Sequence, residues 1–368
     1  MRPPATTVKE EQRTRKHTRT VLLGDLPIGG EAPVRVQSMT TTDTRDVEST
    51  IAQIKALEDA GCEVARVAVP DRESALVLHR IKEGISTPLI ADIHFDYRLA
   101  LKAIEEGVDG IRINPGNMKA DRVREVVSAA KDSPVVIRLG VNSGSLEKDI
   151  LSKHGGPTAA ALVESALRSV RFIEDLGFDR LKVSLKSSHV PTMVAAYRGL
   201  AEKTDYPLHL GVTEAGTLLR AAIKSAAGIG SLLIDGIGDT IRVSITGDPV
   251  QEIPVAFGIL RALDIRRVGP DIISCPTCGR CEIDLPSLVD EFERHMTGVS
   301  ADIKIALMGC VVNGPGEASE ADIGIAGGRG EGLLFKKGKI VRKLKETEFL
   351  SVLLEETRKL IAERERGE

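Results

Sequence analysis

VRVQSMTTTDTRDVESTIAQIKALEDAGCEVARVAV, residues 34–69, contains one complete strand–helix–strand unit. Its ends, VRVQSM (34–39) and VARVAV (64–69), are short β-like runs rich in Val. Between them DVESTIAQIKALEDAG (46–61) sets Ile51, Ile54 and Leu57 at helical spacing and stops at Gly61. The alternation continues outward. Further strands are predicted at PLIADI (88–93), GIRIN (110–114), PVVIRL (134–139), LKVSLK (181–186), PLHLGV (207–212) and TIRVSI (240–245). Helical patterns such as AALVESALRSVRFIEDLG and PVQEIPVAFGILRALD fall among them. Eight strands alternating with eight helices over roughly 230 residues is the arithmetic of an α/β fold, the (β/α)8 TIM barrel. A doubly wound open sheet is the alternative.

After Ile265 the texture changes. IRRVGPDIISCPTCGRCEID reads as a linker into a cysteine cluster. It is followed by a helix (286–297), a strand (302–307), the loop GCVVNGPGE and a strand around 322–326. A hairpin through KKGK (336–339) and a charged helix from about 346 complete a smaller α+β module. The expected division is 1–33 as a flexible N-terminal tail and lead-in, 34–266 as the barrel, and 267–368 as the C-terminal domain.

Net charge is -3, and no apolar run is long enough to span a bilayer, so neither nucleic acid nor a membrane is the expected partner. The chain has no Trp and few aromatics, which leaves little material for stacking on bases. The basic, polar N-terminus lacks the apolar core of a secretory signal. Four of the five cysteines lie within residues 275–310, a clustering that suits a cofactor in a reducing compartment better than a disulfide framework. A cytoplasmic location is expected.

The predicted strands carry charges that a barrel interior normally excludes: Arg66, Arg112, Arg138, Lys182, Lys186 and Arg242. Several stand two residues from another polar group, so both project to the same side of the strand. These sets are Asp92 with His94, Arg112 with Asn114, Lys182 with Ser184 and Lys186, and Arg242 with Ser244. The loops NPGN (114–117), NSGS (142–145, with Asn142 and Ser143) and TEAG (213–216) follow at strand ends, where barrel active sites form. Any one such cation is as readily paired with a carboxylate as with a ligand. Six on one sheet repel unless an anion joins them, and a phosphate or diphosphate is the economical one.

Cys275-Pro-Thr-Cys278, extended by Cys281 and followed by Cys310, is a thiolate site by its spacing. Three readings stay open on spacing alone. They are a four-thiolate zinc site, a four-cysteine iron–sulfur cluster, and three cysteines plus a non-cysteine ligand such as Glu317. Cys62 reads as an inert core thiol. No P-loop, nucleophile elbow or H-E-x-x-H motif is present.

VQSMT, RVAVP, ADIHFD, IRINPGN, RLGVNSGS, KVSLKSS, TEAG, DGIGDTIRVS, SCPTCGR and GCVVNGPGE together resemble the bacterial 4-hydroxy-3-methylbut-2-enyl diphosphate synthases of non-mevalonate isoprenoid biosynthesis. The resemblance runs from about Arg35 to the end. It implies a TIM barrel followed by a domain like those of sulfite and nitrite reductases. A 4Fe–4S cluster is implied on Cys275, Cys278, Cys310 and Glu317, with Cys281 outside the ligand set. The implied reaction is reductive ring opening and dehydroxylation of 2-C-methyl-D-erythritol 2,4-cyclodiphosphate, with single electrons from flavodoxin or ferredoxin. A homodimer is implied, the barrel of one subunit capped by the cluster domain of the other. Asp92, His94, Glu214 and Asp235 are the titratable candidates for protonating the departing hydroxyl. The rival expectations are a phosphosugar aldolase or isomerase barrel with a structural zinc ribbon, and a non-catalytic iron–sulfur carrier or sensor.

Overall fold

The computed structural model describes residues 15–310 and 320–366. The chain divides into two units, one ending at Arg266 and the other beginning at Arg267. The first opens with an antiparallel hairpin, β1 (Val21–Leu23) and β2 (Leu26–Ile28). The expectation of a tail over 1–33 is therefore corrected for this stretch. VLLGDLPI places Gly24 at φ 58, a left-handed turn conformation that glycine adopts without strain, and the flanking apolar residues become strands. Val21, Leu23 and Ile28 then pack on Val64, Ile90 and Val136 near the starts of three barrel strands. A Cβ on Gly110 would stand 2.8 Å from Leu23 Cδ1, so glycine there makes room for the plug.

Eight parallel strands follow: β3 (Arg35–Met39), β4 (Val64–Ala68), β5 (Leu89–Asp92), β6 (Gly110–Ile113), β7 (Val136–Asn142), β8 (Leu181–Lys186), β9 (His209–Leu210) and β10 (Thr240–Ile241). Their order is β8-β7-β6-β5-β4-β3-β10-β9, and a parallel bridge between Val183 and Leu208 joins the two ends. The open-sheet alternative is excluded. The outer layer is α1 (Val47–Asp59), α2 (Arg72–Leu76) with α3 (Leu78–Glu83), α4 (Tyr97–Glu105) and α5 (Ala120–Lys131). It continues with α6 (Lys148–His154), α7 (Ala159–Asp175), α8 (Val190–Ala201), α9 (Leu218–Ile234) and α10 (Glu252–Ala262). Helix starts are set locally: Asp46 and Thr158 accept the amides of Ser49 and Ala161, capping α1 and α7.

Strand register decides what faces the barrel axis. Gly110 pairs with Val136, Arg112 with Arg138, Arg138 with Lys182, and Asn142 with Lys186. Alternate residues therefore form an apolar layer at the plugged end and a charged layer above it. The usual branched aliphatic filling is replaced at mid-height by Arg66, Arg112, Arg138 and Lys182, each 4% exposed or less.

The second unit is a five-stranded sheet in the order β11 (Pro270–Ser274), β12 (Ile303–Met308), β13 (Ile323–Gly328), β14 (Glu331–Lys336) and β15 (Lys339–Lys345). The first three are parallel and the last two antiparallel. α11 (Leu285–Met296) and α12 (Phe349–Arg366) bury Phe292, Phe349 and Leu353 against Ile305, Ile325 and Leu334. The KKGK hairpin turns on Lys337 and Gly338, both at positive φ, the two-residue turn whose twist suits paired strands. PDIIS, which reads as linker in the sequence, is strand β11, because its backbone pairs with β12. Among the described residues no helix is long and apolar enough to cross a membrane.

Candidate functional site

Above the charged layer, at the C-terminal ends of the strands, a cavity of about 470 Å³ opens. Arg66, Asp92, His94, Arg112, Asn142, Ser143, Lys186 and Glu214 line it, with Ser145, Ser188 and Thr213. That size suits a phosphorylated small molecule.

Arg112 is the organising cation. Its Nη1 lies 3.5 Å from Asp92 Oδ1 and 3.1 Å from His94 Nε2, and its Nη2 lies 3.5 Å from Asn142 Oδ1. A Cβ on Gly140 would come within 2.5 Å of Arg112 Nε, so glycine in β7 is what lets the guanidinium lie there. Asp92 also stands 3.4 Å from His94. Burial opposes the ionisation of Asp92, but Arg66, His94, Arg112 and Arg138 outweigh it and hold the carboxyl well below its ordinary range. Asp92 is an anion that positions cations, and has no proton to give.

Beneath the cavity the cations are unsatisfied. Among the described residues, all three Arg138 nitrogens and Lys182 Nζ are buried without a hydrogen-bond partner, as are Arg66 Nη1 and Arg112 Nε. Arg66 gives Nε and Nη2 only to the Met39 sulfur, at 3.0 and 2.8 Å. Burial, with Arg112 and Arg242 against it and Asp92 for it, brings Arg66 down to about 10. Burial first, and then neighbouring cations, push Arg138, Lys182 and Lys186 well below their ordinary values. His209, packed against Thr240 at 2.8 Å, is driven well down by the same causes. Nearby carboxylates are already engaged. Asp239 holds Arg15 at 2.7 Å and the Leu208 amide, while Glu252 takes Arg242 through two contacts of 3.2 Å. Among the described residues, five cations (Arg66, Arg112, Arg138, Lys182, Lys186) thus gather around Asp92, while the other buried carboxylates nearby, Asp239 and Glu252, are bound to Arg15 and Arg242.

Several expected residues fall elsewhere. Arg242 is a member of a closed ion pair and does not line the cavity, and Ser244 is half-buried outside it. Ser184 donates to the Leu139 carbonyl at 3.3 Å, deep in the barrel. Asn114 is committed to a turn, accepting from Gly116 and donating to Ser145 Oγ at 2.7 Å. Asp235 is corrected outright. It caps the C-terminal end of α9 and pairs with Arg198 at 2.7 Å, at the barrel end opposite the cavity. Glu214 does face the cavity, and its φ of 55 is a strained value for a side chain of this kind. Ser145 and Thr213 fall in the NSGS and TEAG loops marked at strand ends in the sequence, whereas His209 and Ser188 are not singled out there; their place on or beside charged strands is the available signal.

In the second unit Ser274 pairs with Leu307, so Cys275 and Cys310 leave the C-terminal ends of adjacent parallel strands. Cys275 Sγ accepts the Gly309 amide at 3.2 Å, and Cys278 is exposed in the following turn. Cys281 turns inward: its thiol donates to the Ile283 carbonyl at 3.3 Å, and a Cβ on Gly309 would overlap its sulfur. Glu317 lies outside the described residues. Among the described residues no three His, Cys, Asp or Glu side chains already stand as a metal-binding group. Cys62 is buried, its thiol pushed up to about 12 chiefly by that burial.

A closed parallel barrel with a cation-lined mouth, followed by a cysteine-bearing α+β domain, defines an anion-binding barrel protein with a thiolate module. Residues 18–257 match the family model described as the GcpE TIM-barrel domain, and residues 271–359 match the GcpE protein C-terminal domain. The chain belongs to the GcpE family. It is 58% identical over 348 residues to the 4-hydroxy-3-methylbut-2-en-1-yl diphosphate synthase (flavodoxin) of Geobacter sulfurreducens, covering 94% of this chain and 99% of that one. The protein of the same name from Maridesulfovibrio salexigens is 59% identical over 337 residues, covering 91% and 94%. Among solved structures, a dihydropteroate synthase from Stenotrophomonas maltophilia superposes with TM-score 0.50 at 15% identity, over 67% of this chain and 98% of that one. That likeness concerns the barrel fold alone.

Lys182 tests the reading of the interior. Its pKa in the folded chain lies below the unfolded value of 10.5, so the unfolded chain binds more protons between the two values. Stability of the ligand-free protein should therefore rise with pH through that window. Lys182→Met should flatten this slope and stabilise the ligand-free protein by about 1–4 kcal/mol. It should also reduce the rise in Tm caused by inorganic diphosphate. Urea unfolding at several pH values and a thermal shift series measure both. A destabilised variant with an undiminished diphosphate response would contradict the reading.

Proposed function

We propose that the chain reductively opens and dehydroxylates 2-C-methyl-D-erythritol 2,4-cyclodiphosphate to (E)-4-hydroxy-3-methylbut-2-enyl diphosphate. The observation that carries the reading is the cation-rich barrel, which needs a multiply charged anion. The names of relatives over nearly full length support the particular one. Two electrons and one proton enter, the hydroxyl leaves as water, and the opened ring phosphate keeps the extra negative charge.

Arg66, Arg112 and Lys186 at the cavity, with Arg138 and Lys182 below, supply the positive field for that charge. That field stabilises the phosphate most as its carbon–oxygen bond breaks and its negative charge grows. Asp92 holds Arg112 and His94 in place. Of the carboxylate and imidazole candidates, His94 and Glu214 remain facing the cavity among the described residues, and the proton reaches the departing hydroxyl from one of them.

A 4Fe–4S cluster would be held by the thiolates of Cys275, Cys278 and Cys310, with Glu317 as the fourth ligand. Support comes from the Gly309 amide aimed at Cys275 Sγ, the kind of donor that stabilises a cluster thiolate. When bound, the cluster supplies single electrons and Lewis acidity. Cys281 donates a hydrogen bond to the Ile283 carbonyl, which suits a thiol outside the ligand set.

Protein prepared without oxygen, and supplied with iron and sulfide, should be brown and should convert the cyclic diphosphate when given a reductant. Colourless zinc-loaded protein, or fully loaded protein that leaves the substrate intact, would overturn the proposal. The active site is further proposed to be shared between two copies of the chain. Mixing Cys310→Ser with Arg112→Ala chains should then restore part of the activity in heterodimers. Confirmed mixing without rescue would refute sharing.

A further inference from the structure

The C-terminal sheet has a charge distribution that neither the fold nor the reaction explains. The segment KKGKIVRKLK (336–345) holds Lys336, Lys337, Lys339, Arg342, Lys343 and Lys345 with no carboxylate, in a chain whose net charge is -3. It forms the end of β14, the turn, and β15, the outer strand of the sheet. Two of these cations are answered locally, Lys336 by Glu356 and Lys343 by Glu331. Lys337, Lys339, Arg342 and Lys345 are exposed, and no described carboxylate forms an ion pair with them. Ile340 and Val341 lie between them, 59% and 53% exposed.

Lysines on an outer strand are a common guard against pairing with another strand, and a bulge serves the same end. β15 has such an irregularity opposite Leu334 and Phe335. That guard accounts for some charge, but it gives no reason to expose two branched aliphatic residues at the centre of the patch. A small apolar centre flanked by four unpaired cations is the anatomy of a transient protein interface.

Its position in the sheet gives the surface a use. Glu331 pairs with Lys345 and with Gly328, so the C-terminal end of β15 lies at the same end of the sheet as Cys310 and Cys275. Three strand spacings separate β15 from β12, about 14 Å.

We propose that β15, from Lys339 to its C-terminal end at Lys345, is the docking surface for the acidic face of a one-electron donor protein of the flavodoxin class. This rests on the reductive function proposed above, and relatives carry flavodoxin in their names. Association is steered by the basic strand and seated on Ile340 and Val341.

The test compares turnover driven by reduced flavodoxin with turnover driven by dithionite, for the wild type and for Lys339→Glu/Arg342→Glu/Lys345→Glu. The variant's KM for flavodoxin should rise by about tenfold or more, and its salt dependence should flatten. Dithionite-driven turnover should stay at the wild-type level, which also shows that the variant is folded. An unchanged KM for flavodoxin, or equal loss in both arms, would overturn the proposal. If the wild type does not turn over even with dithionite, the proposed function fails on its own. Docking is then read by binding of the same flavodoxin at low salt: binding lost in the variant supports it, and no wild-type binding, or stronger binding to anionic vesicles or RNA, overturns it.

Discussion

Mutual repulsion of buried cations is the constraint on which this molecule turns. Arg66, Arg112, Arg138, Lys182 and Lys186 share one barrel with Asp92, while the buried carboxylates of Asp239 and Glu252 are engaged by Arg15 and Arg242. Closed aliphatic layers would make a more stable barrel, so the charged layer is retained at a cost to folding. The rest of the first unit offsets that cost. The β1–β2 hairpin closes the far end with Leu23 and Ile28, and the buried Asp239 and Glu252 hold Arg15 and Arg242. The interior is left short of negative charge, and the proposed diphosphate is the group that would supply it.

The second unit follows a different logic. Three parallel strands bring Cys275 and Cys310 to one end of a sheet whose other contacts are aliphatic and aromatic. Backbone hydrogen bonding therefore decides where the thiolates stand. Gly309 accommodates the inward-turned Cys281, which separates one cysteine of the C-x-x-C-x-x-C run from its neighbours. The same sheet carries its cations at the opposite edge, on β15.

Much of this arrangement is legible in the order of residues alone. Period-two placement of Arg112, Arg138, Lys182 and Lys186 in otherwise apolar strands implies the inward charged layer, because strand geometry leaves them no other common side. What escapes a reading of the sequence depends on partners distant along the chain. Arg242 looks like its neighbours along the strand, and only Glu252, ten residues on, removes it from the site. Asp235 precedes its strand, and in a barrel that places it at the end away from the chemistry, a rule the motif DGIGDT obscures. The β1–β2 hairpin is hard to see because three-residue strands carry almost no periodic signal. β11 is disguised by Pro270 and the neighbouring cysteines, which suggest a linker. The two-residue strands β9 and β10 look longer in the sequence than their hydrogen bonds sustain.

The central claim is that the barrel interior is an under-neutralised positive field awaiting a diphosphate. Calorimetric titration with 2-C-methyl-D-erythritol 2,4-cyclodiphosphate, in buffers of different ionisation enthalpy at a series of pH values below 10.5, tests it most directly. Bound phosphate oxygens favour the charged forms of Lys182, Lys186 and His209, whose pKa values are lowered in the free protein. The account predicts net proton uptake on binding and an affinity that falls as salt is raised. Binding with no proton uptake and no dependence on salt would contradict it.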